Sequence, residues 1–239
     1  MLQASPPKIE NGLEQKTGAV IALLRRIAGD YAPVTFSNSF GAEDMVLTDL
    51  IFEHAPSIEI FTLDTGRLPE ETYQLMHKVR QRYPLTMHTY SPRAEAIEQY
   101  VLKHGPNAFY ESLELRKACC HLRKVEPLAR ALAGKKAWLT GMRRQQSQTR
   151  RELPLEEWDA EHGLQKFNPL LEWTHQDVWA YIRKFDVPYN ALHDKGYPSI
   201  GCAPCTRAIA VGEDIRAGRW WWENEDEVGK ECGLHEKKL

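Results

Sequence analysis

From Val34 to Phe185 the chain alternates short apolar runs with segments of helical periodicity, and this alternation constrains its fold most. Strands are expected at Val34–Ser37, Ile58–Leu63, Thr86–Tyr90 and Ala137–Thr140, with a fifth beginning at Phe167. Ile58–Leu63 reads IEIFTL, a continuous apolar run bounded by turn residues, as strands buried on both faces do. Helices are expected over Glu14–Ala28, stopped by Gly29, and over Ala42–Glu53. Another runs to Gln81, with Pro69 in its first turn, and Ser91-Pro92 supplies the N-cap and first residue of one that stops at Gly105. Thr174 with Asp177 forms a capping box for a helix through Phe185. Strands alternating with helices require crossovers, so the class is α/β with a mainly parallel sheet flanked by helices. The last forty residues break the pattern with a cysteine loop, three consecutive tryptophans and a charged stretch. The organisation expected is one body over residues 1–222 and a polar, mobile C-terminal tail over residues 223–239.

With 239 residues, 42% of them hydrophobic, the chain can bury a sizeable core. A net charge of −2 argues against a broad nucleic-acid-binding face. No apolar run approaches the roughly 20 residues a membrane helix needs. The N-terminus, MLQASPPKIENG, lacks the basic-then-apolar layout of a secretory signal. A cytoplasmic location is therefore expected, where thiols stay reduced and clustered cysteines bind metal or do redox work. Positive charge is local: Arg143, Arg144, Arg150, Arg151, Arg207, Arg216 and Arg219 all lie in the C-terminal half. A small, multiply anionic substrate explains that better than a polymer.

The five cysteines divide four and one. Cys119 and Cys120 are adjacent, Cys202 and Cys205 form a C-A-P-C pair, and Cys232 stands apart in E-C-G-L-H. Four thiolates in two close groups suit a tetrahedral metal or an iron–sulfur cluster. Adjacent residues on a helix point about 100° apart, which is awkward for one small ion and easier for a four-iron cube. Arg116, Lys117, Arg123 and Lys124 surround the first pair, and nearby cations favour thiolates. Cys232 is either an idle surface thiol or a nucleophile that reaches a distant site, with His235 and nearby arginines favouring its ionised form.

Three loops follow strand ends, where open α/β sheets bind ligands. Ser37–Asp44 (SNSFGAED) places Ser37, Ser39 and Gly41 before a helix N-terminus, which favours an anion; no Gly-Lys-Ser/Thr follows, so it is not a Walker loop. Leu63–Leu68 (LDTGRL) brings Leu63, Asp64 and Gly66, either as turn formers or as a second nucleotide loop. Gly141–Ser147 (GMRRQQS) with Arg150 offers guanidinium forks for phosphate or sulfate, Arg143 among them.

Taken together, SNSFGAED, LDTGRL, KACCHLRK, GCAPC, EDIRAGRWWW and the terminal ECGLH, in this order, resemble the iron–sulfur-containing assimilatory adenylyl-sulfate reductases of bacteria. The resemblance spans roughly Ser37 to His235. Relatives that use the 3′-phosphorylated substrate typically lack both cysteine pairs. It implies an adenine-nucleotide α-hydrolase-like fold and a [4Fe–4S] cluster on Cys119, Cys120, Cys202 and Cys205. It also implies Cys232 as nucleophile and Lys124, Arg216 and Arg219 as active-site cations, Arg150 or Arg151 joining them. Adenylyl sulfate is the implied substrate and thioredoxin or a similar dithiol the implied reductant. A homo-oligomer is expected, with neither a nucleic-acid nor a membrane partner. The competing readings are a 3′-phosphoadenylyl-sulfate reductase, a tRNA thiolase of the ATP-pyrophosphatase type and an iron–sulfur sensor. A thiolase would want an S-G-G-x-D-S loop, and a sensor leaves the nucleotide loops and terminal cysteine unexplained.

Overall fold

The structure, a computed structural model, describes residues 8–147 and 150–223. In chain order its main elements are α1 (Lys8–Asp30), β1 (Val34–Ser37), α2 (Ala42–His54), β2 (Glu59–Leu63), α3 (Glu70–Arg82) and β3 (Met87–Tyr90). They continue with α4 (Ala94–His104), α5 (Leu113–Cys120), α6 (Glu126–Leu132), β4 (Ala137–Leu139), β5 (Glu156–Asp159), β6 (Leu164–Phe167) and α7 (His175–Lys184). The six strands belong to one mainly parallel sheet, as the strand–helix alternation requires. No helix among the described residues is long and apolar enough to cross a membrane.

Two compact units make up the chain: Met1–Glu59 with Lys135–Tyr189, and Ile60–Gly134 with Asn190–Leu239. The body expected over residues 1–222 thus contains two units, each built from two separate stretches. Apart from Glu223, the expected tail lies outside the described residues, and Cys232 and His235 with it.

In the first unit β1 pairs in parallel with β4, and β4 with β6, aligning Phe36 with Leu139 and Leu139 with Phe167. All three side chains are fully buried, each contributing about 1.5–3 kcal/mol of apolar burial. Helix α2 packs against α1 and α7 and has no polar face: Met45, Val46, Leu47, Leu50 and Ile51 are buried, and so are Asp44, Thr48 and Asp49. Buried polar groups need partners. The Thr48 hydroxyl donates to the Asp44 carbonyl and accepts from the Asn38 amide, and Asp49 accepts from the Tyr181 hydroxyl at 2.7 Å. The Thr174 capping box holds the start of α7 as expected. In the second unit β2 pairs in parallel with β3, from Ile60 with Met87 to Leu63 with Tyr90.

Two expectations need correction, and one helical stretch was not anticipated. Phe167 ends β6 instead of beginning a strand, because Leu164–Phe167 pairs antiparallel with β5 (Glu156–Asp159), which the sequence reading omits. The N-cap of α4 is Arg93, not Ser91. A nearly continuous helical stretch from Leu113 to Leu132, which no apolar pattern announces, carries the first cysteine pair.

Candidate active site

That stretch is not uniform. Helix α5 begins at Ser112, whose hydroxyl accepts from the Leu115 amide, and presents Arg116, Cys119 and Cys120. After Cys120 the chain widens into a π-helical turn over His121–Val125, with the Glu126 amide bonded back to the His121 carbonyl, before α6 continues. Such bulges re-aim side chains within an otherwise regular helix and recur at functional sites. Here the turn follows the cysteine pair at once and carries Arg123 and Lys124.

One cavity of the second unit is lined by all four described cysteines, Cys119, Cys120, Cys202 and Cys205, together with Arg67, Arg116, Arg123 and Lys124. The second pair sits on a tight turn in which the Cys205 amide donates to the Cys202 carbonyl at 2.9 Å. The Leu63–Leu68 loop braces this cavity. Its Thr65 carbonyl accepts from Arg123 Nη1 at 2.6 Å, the Thr65 hydroxyl accepts from the Cys202 thiol at 3.3 Å, and the Arg67 carbonyl accepts from the Ala203 amide at 2.8 Å. Asp64 is spent within the loop, accepting from the Gly66 amide and the Tyr73 hydroxyl. Within the second unit, then, this motif serves the cysteines.

Without a metal the cavity favours neutral thiols over thiolates. Burial pushes the Cys205 thiol up to about 12, reinforced by Cys202 and Cys120 and opposed by Lys124 and Arg219. Burial also raises Cys119, against the pull of Arg123 and Arg67. A bound metal reverses this, because a coordinating thiol is deprotonated outright. No three of the described His, Cys, Asp and Glu side chains converge on a site for a single ion. Thiolates around one zinc sit only about 3.8 Å apart, given tetrahedral bonds of about 2.3 Å. Four cysteines lining one cavity are nonetheless the donor set of an iron–sulfur group.

Beside the cavity, Arg116 is 1% exposed and makes a bidentate pair with Glu223, at 2.7 and 3.1 Å. Trp220 is buried with φ +45°, a backbone conformation that costs a bulky residue about 1–2 kcal/mol. Arg219 is 6% exposed, and its Nε has no hydrogen-bond partner. Arg216 is half-buried on the turn that carries Arg219, whose amide donates to the Arg216 carbonyl.

The first unit gathers the other loops. The Ser39 amide and hydroxyl donate to one oxygen of Asp44, at 2.7 and 2.6 Å. The other oxygen lies 2.0 Å from where a Cβ on Gly141 would be, so only glycine fits there. Ser37 donates to the Leu139 carbonyl, and Gly41 caps α2 without a side-chain hydrogen bond. Arg143 is 2% exposed; its guanidinium donates to Glu43 at 2.9 and 2.5 Å and to the Trp173 carbonyl. Gln146 accepts from both the Arg143 amide and Arg150 Nη1, tying the loop to its own arginines. Burial opposes the ionisation of Glu43, but Arg143 outweighs it and holds the carboxyl below its ordinary range. Burial raises Asp44 to about 7, despite the donors on Ser39. Two acidic residues at a helix N-terminus would ordinarily repel an anion; here one is neutralised by a guanidinium and the other is half protonated near neutral pH.

Sequence reasoning missed the Glu43–Arg143 pair.

Residues 33–208 match the model of the phosphoadenosine phosphosulfate reductase domain. Proteins named adenosine 5′-phosphosulfate reductase from Allochromatium vinosum and Burkholderia cepacia are each 54% identical to this chain. Those matches cover 95% and 98% of this chain and 88% and 93% of the relatives. Among solved structures, a phosphoadenylyl-sulfate reductase from Candida auris, in a phosphate complex, aligns with a TM-score of 0.70 at 32% identity. It covers 86% of this chain and 99% of its own. An FMN adenylyltransferase from Candida glabrata, at 16% identity and a TM-score of 0.56 over 84% of this chain and 65% of its own, shares the fold alone. That fold is adenine-nucleotide α-hydrolase-like, as expected, and with the family model spanning most of its length the chain belongs to the phosphoadenosine phosphosulfate reductase family.

Proposed function

We propose that this chain reduces adenylyl sulfate to sulfite and AMP, as a cytoplasmic enzyme of assimilatory sulfate reduction. The observation that carries the reading is the cavity lined by four thiols and four cations, in a chain 54% identical to proteins named for this activity. Cys119, Cys120, Cys202 and Cys205 hold a [4Fe–4S] cluster, whose thiolate charge Arg67, Arg123 and Lys124 offset. When bound, the cluster supplies structure and a local field; the two electrons of the reaction come from thiols.

Adenylyl sulfate is a mixed phosphate–sulfate anhydride, so its sulfuryl group is activated and AMP leaves readily. Ser37, Ser39, Gly41, Leu63, Asp64, Gly66, Gly141, Arg143 and Arg150 belong to the loops that bind the nucleotide, Arg143 by holding its loop through Glu43. Lys124, Arg216 and Arg219 stabilise charge on the sulfate and the departing phosphate. The Cys232 thiolate, its ionised form favoured by His235, attacks sulfur; the sulfur–oxygen bond to AMP breaks and an enzyme S-sulfonate remains. One thiolate of thioredoxin or a similar dithiol attacks the Cys232 sulfur and expels sulfite. The second thiol then resolves the mixed disulfide, restoring Cys232 and leaving the donor oxidised. The active form is a homo-oligomer.

The test is sulfite and AMP release from adenylyl sulfate by anaerobically purified protein with reduced thioredoxin. About four irons per chain, strong preference for adenylyl sulfate over its 3′-phosphorylated form, and a sulfonate trapped on Cys232 without reductant are expected. Equal specificity constants for the two nucleotides would favour the second reading, a phosphoadenylyl-sulfate reductase, which the name of the Candida auris relative supports.

A further inference from the structure

Arg219 is a buried cation poorly provided for among the described residues. No described carboxylate pairs with it. Its Nη1 makes only long contacts of 3.4 Å, to the Ser199 hydroxyl and the Ile200 carbonyl, and its Nε has none. What it does have is an aromatic support: its guanidinium carbon lies 4.7 Å from the centre of the Trp220 ring. The same indole carries the Arg116 guanidinium at 4.6 Å. The Trp220 indole N–H has no partner, so no hydrogen bond of its own orients the ring. Arg116, fixed by its two bonds to Glu223, is the anchored member of this stack. On another side of Arg219 lies Gly201, where a Cβ would fall 2.4 Å from Nη2.

We propose that Trp220 is a positioning residue for anion capture: Glu223 fixes Arg116, Arg116 fixes the indole, and the indole holds the Arg219 guanidinium in the room that Gly201 leaves. A guanidinium held by a π face keeps its N–H donors available. An oxyanion of the substrate then completes the hydrogen bonding that the protein leaves unfilled, without first having to break an ion pair. The inference rests on the reading of Arg219 as a substrate-binding cation given above.

The test is a double-mutant cycle read by calorimetric binding of adenylyl sulfate to the full, cofactor-loaded chain carrying Cys232→Ser, which blocks turnover. Trp220→Leu is expected to weaken binding about tenfold, and Trp220→Phe, which keeps a π face, to stay within about threefold of the parent. In the Arg219→Ala background, Trp220→Leu is expected to cost nothing further; a merely structural role would make the two losses multiply. Gly201→Ala should weaken binding about tenfold with Trp220 untouched, because the new methyl displaces only the end of a flexible side chain. It therefore serves as the independent probe if Trp220→Leu fails to fold. Multiplying losses, or a Gly201→Ala protein that binds like the parent, would overturn the proposal. If the parent binds no adenylyl sulfate the functional reading falls, and the same cycle with inorganic pyrophosphate decides the role of Trp220.

Discussion

Asp44 shows how one buried carboxyl shapes a loop cluster. In the fold it keeps its proton up to about pH 7, against 3.8 for an unperturbed aspartate. The folded state therefore binds more protons than the unfolded one across that window, and this residue's contribution to stability falls as pH rises from about 4 to about 7. Glu43 has the opposite sign: its contribution is present above the ordinary carboxyl range and lost as pH falls through its lowered value. Asp44→Asn, which cannot ionise, should gain stability relative to the parent progressively between about pH 4 and pH 7, the gap growing by at most about 4 kcal/mol. Thermal melts across that range check it; a gap independent of pH would show that Asp44 is ionised throughout. At Gly141 the expectation is steric. Gly141→Ala drives a methyl into Asp44 and should destabilise by about 1–3 kcal/mol in urea unfolding, the cost of overpacking.

At the scale of elements, the pair joining α5 to Glu223 is the sharpest case. Its side chains are 1% and 7% exposed, so Glu223→Gln strands a buried guanidinium and should cost about 3–5 kcal/mol. Glu71→Gln, which breaks a far more exposed pair with Lys195, should cost less than about 1 kcal/mol. Denaturant titrations of the two variants give the comparison, and equal losses would mean that burial does not set the difference. The elements also show which features a sequence displays. Strands β1, β2 and β4 were legible because their apolar runs face a core, and α7 because its capping box is a local signal. Strand β5, Glu-Glu-Trp-Asp, was not: it has no buried residue, and Trp158 stands 63% exposed. Helix α5 hid for a related reason, since its one fully buried side chain is an arginine. In the cysteine cavity the residue types were legible and the π-helical turn was not, because it reflects where the chain must aim side chains rather than any local preference. The Leu63–Leu68 loop read as turn formers or as a second nucleotide loop; that it braces Cys202 and Arg123 depends on contacts with residues far along the chain.

At the scale of the whole molecule, the division into two units predicts an uneven response to removal of the proposed cluster. Chelation should raise amide hydrogen exchange over residues 113–125 and 200–207, which frame the cysteine cavity, while β1, β4 and β6 stay protected. Uniform loss of protection would show that the two units unfold together. Each unit is also interrupted in sequence by the other, and that has a consequence for how the protein is made. Strand β1 leaves the ribosome long before its partner β4, and at about 5–20 residues per second the intervening 99 residues take roughly 5–20 s. Over that interval one edge of β1 waits without the chain that will cover it. The cysteines are staggered in the same way: Cys205 is synthesised 85 residues after Cys120. A nascent chain therefore offers only Cys119 and Cys120 until about 80 further residues have been made, so insertion of the proposed cluster would have to compete with oxidation of an exposed vicinal pair.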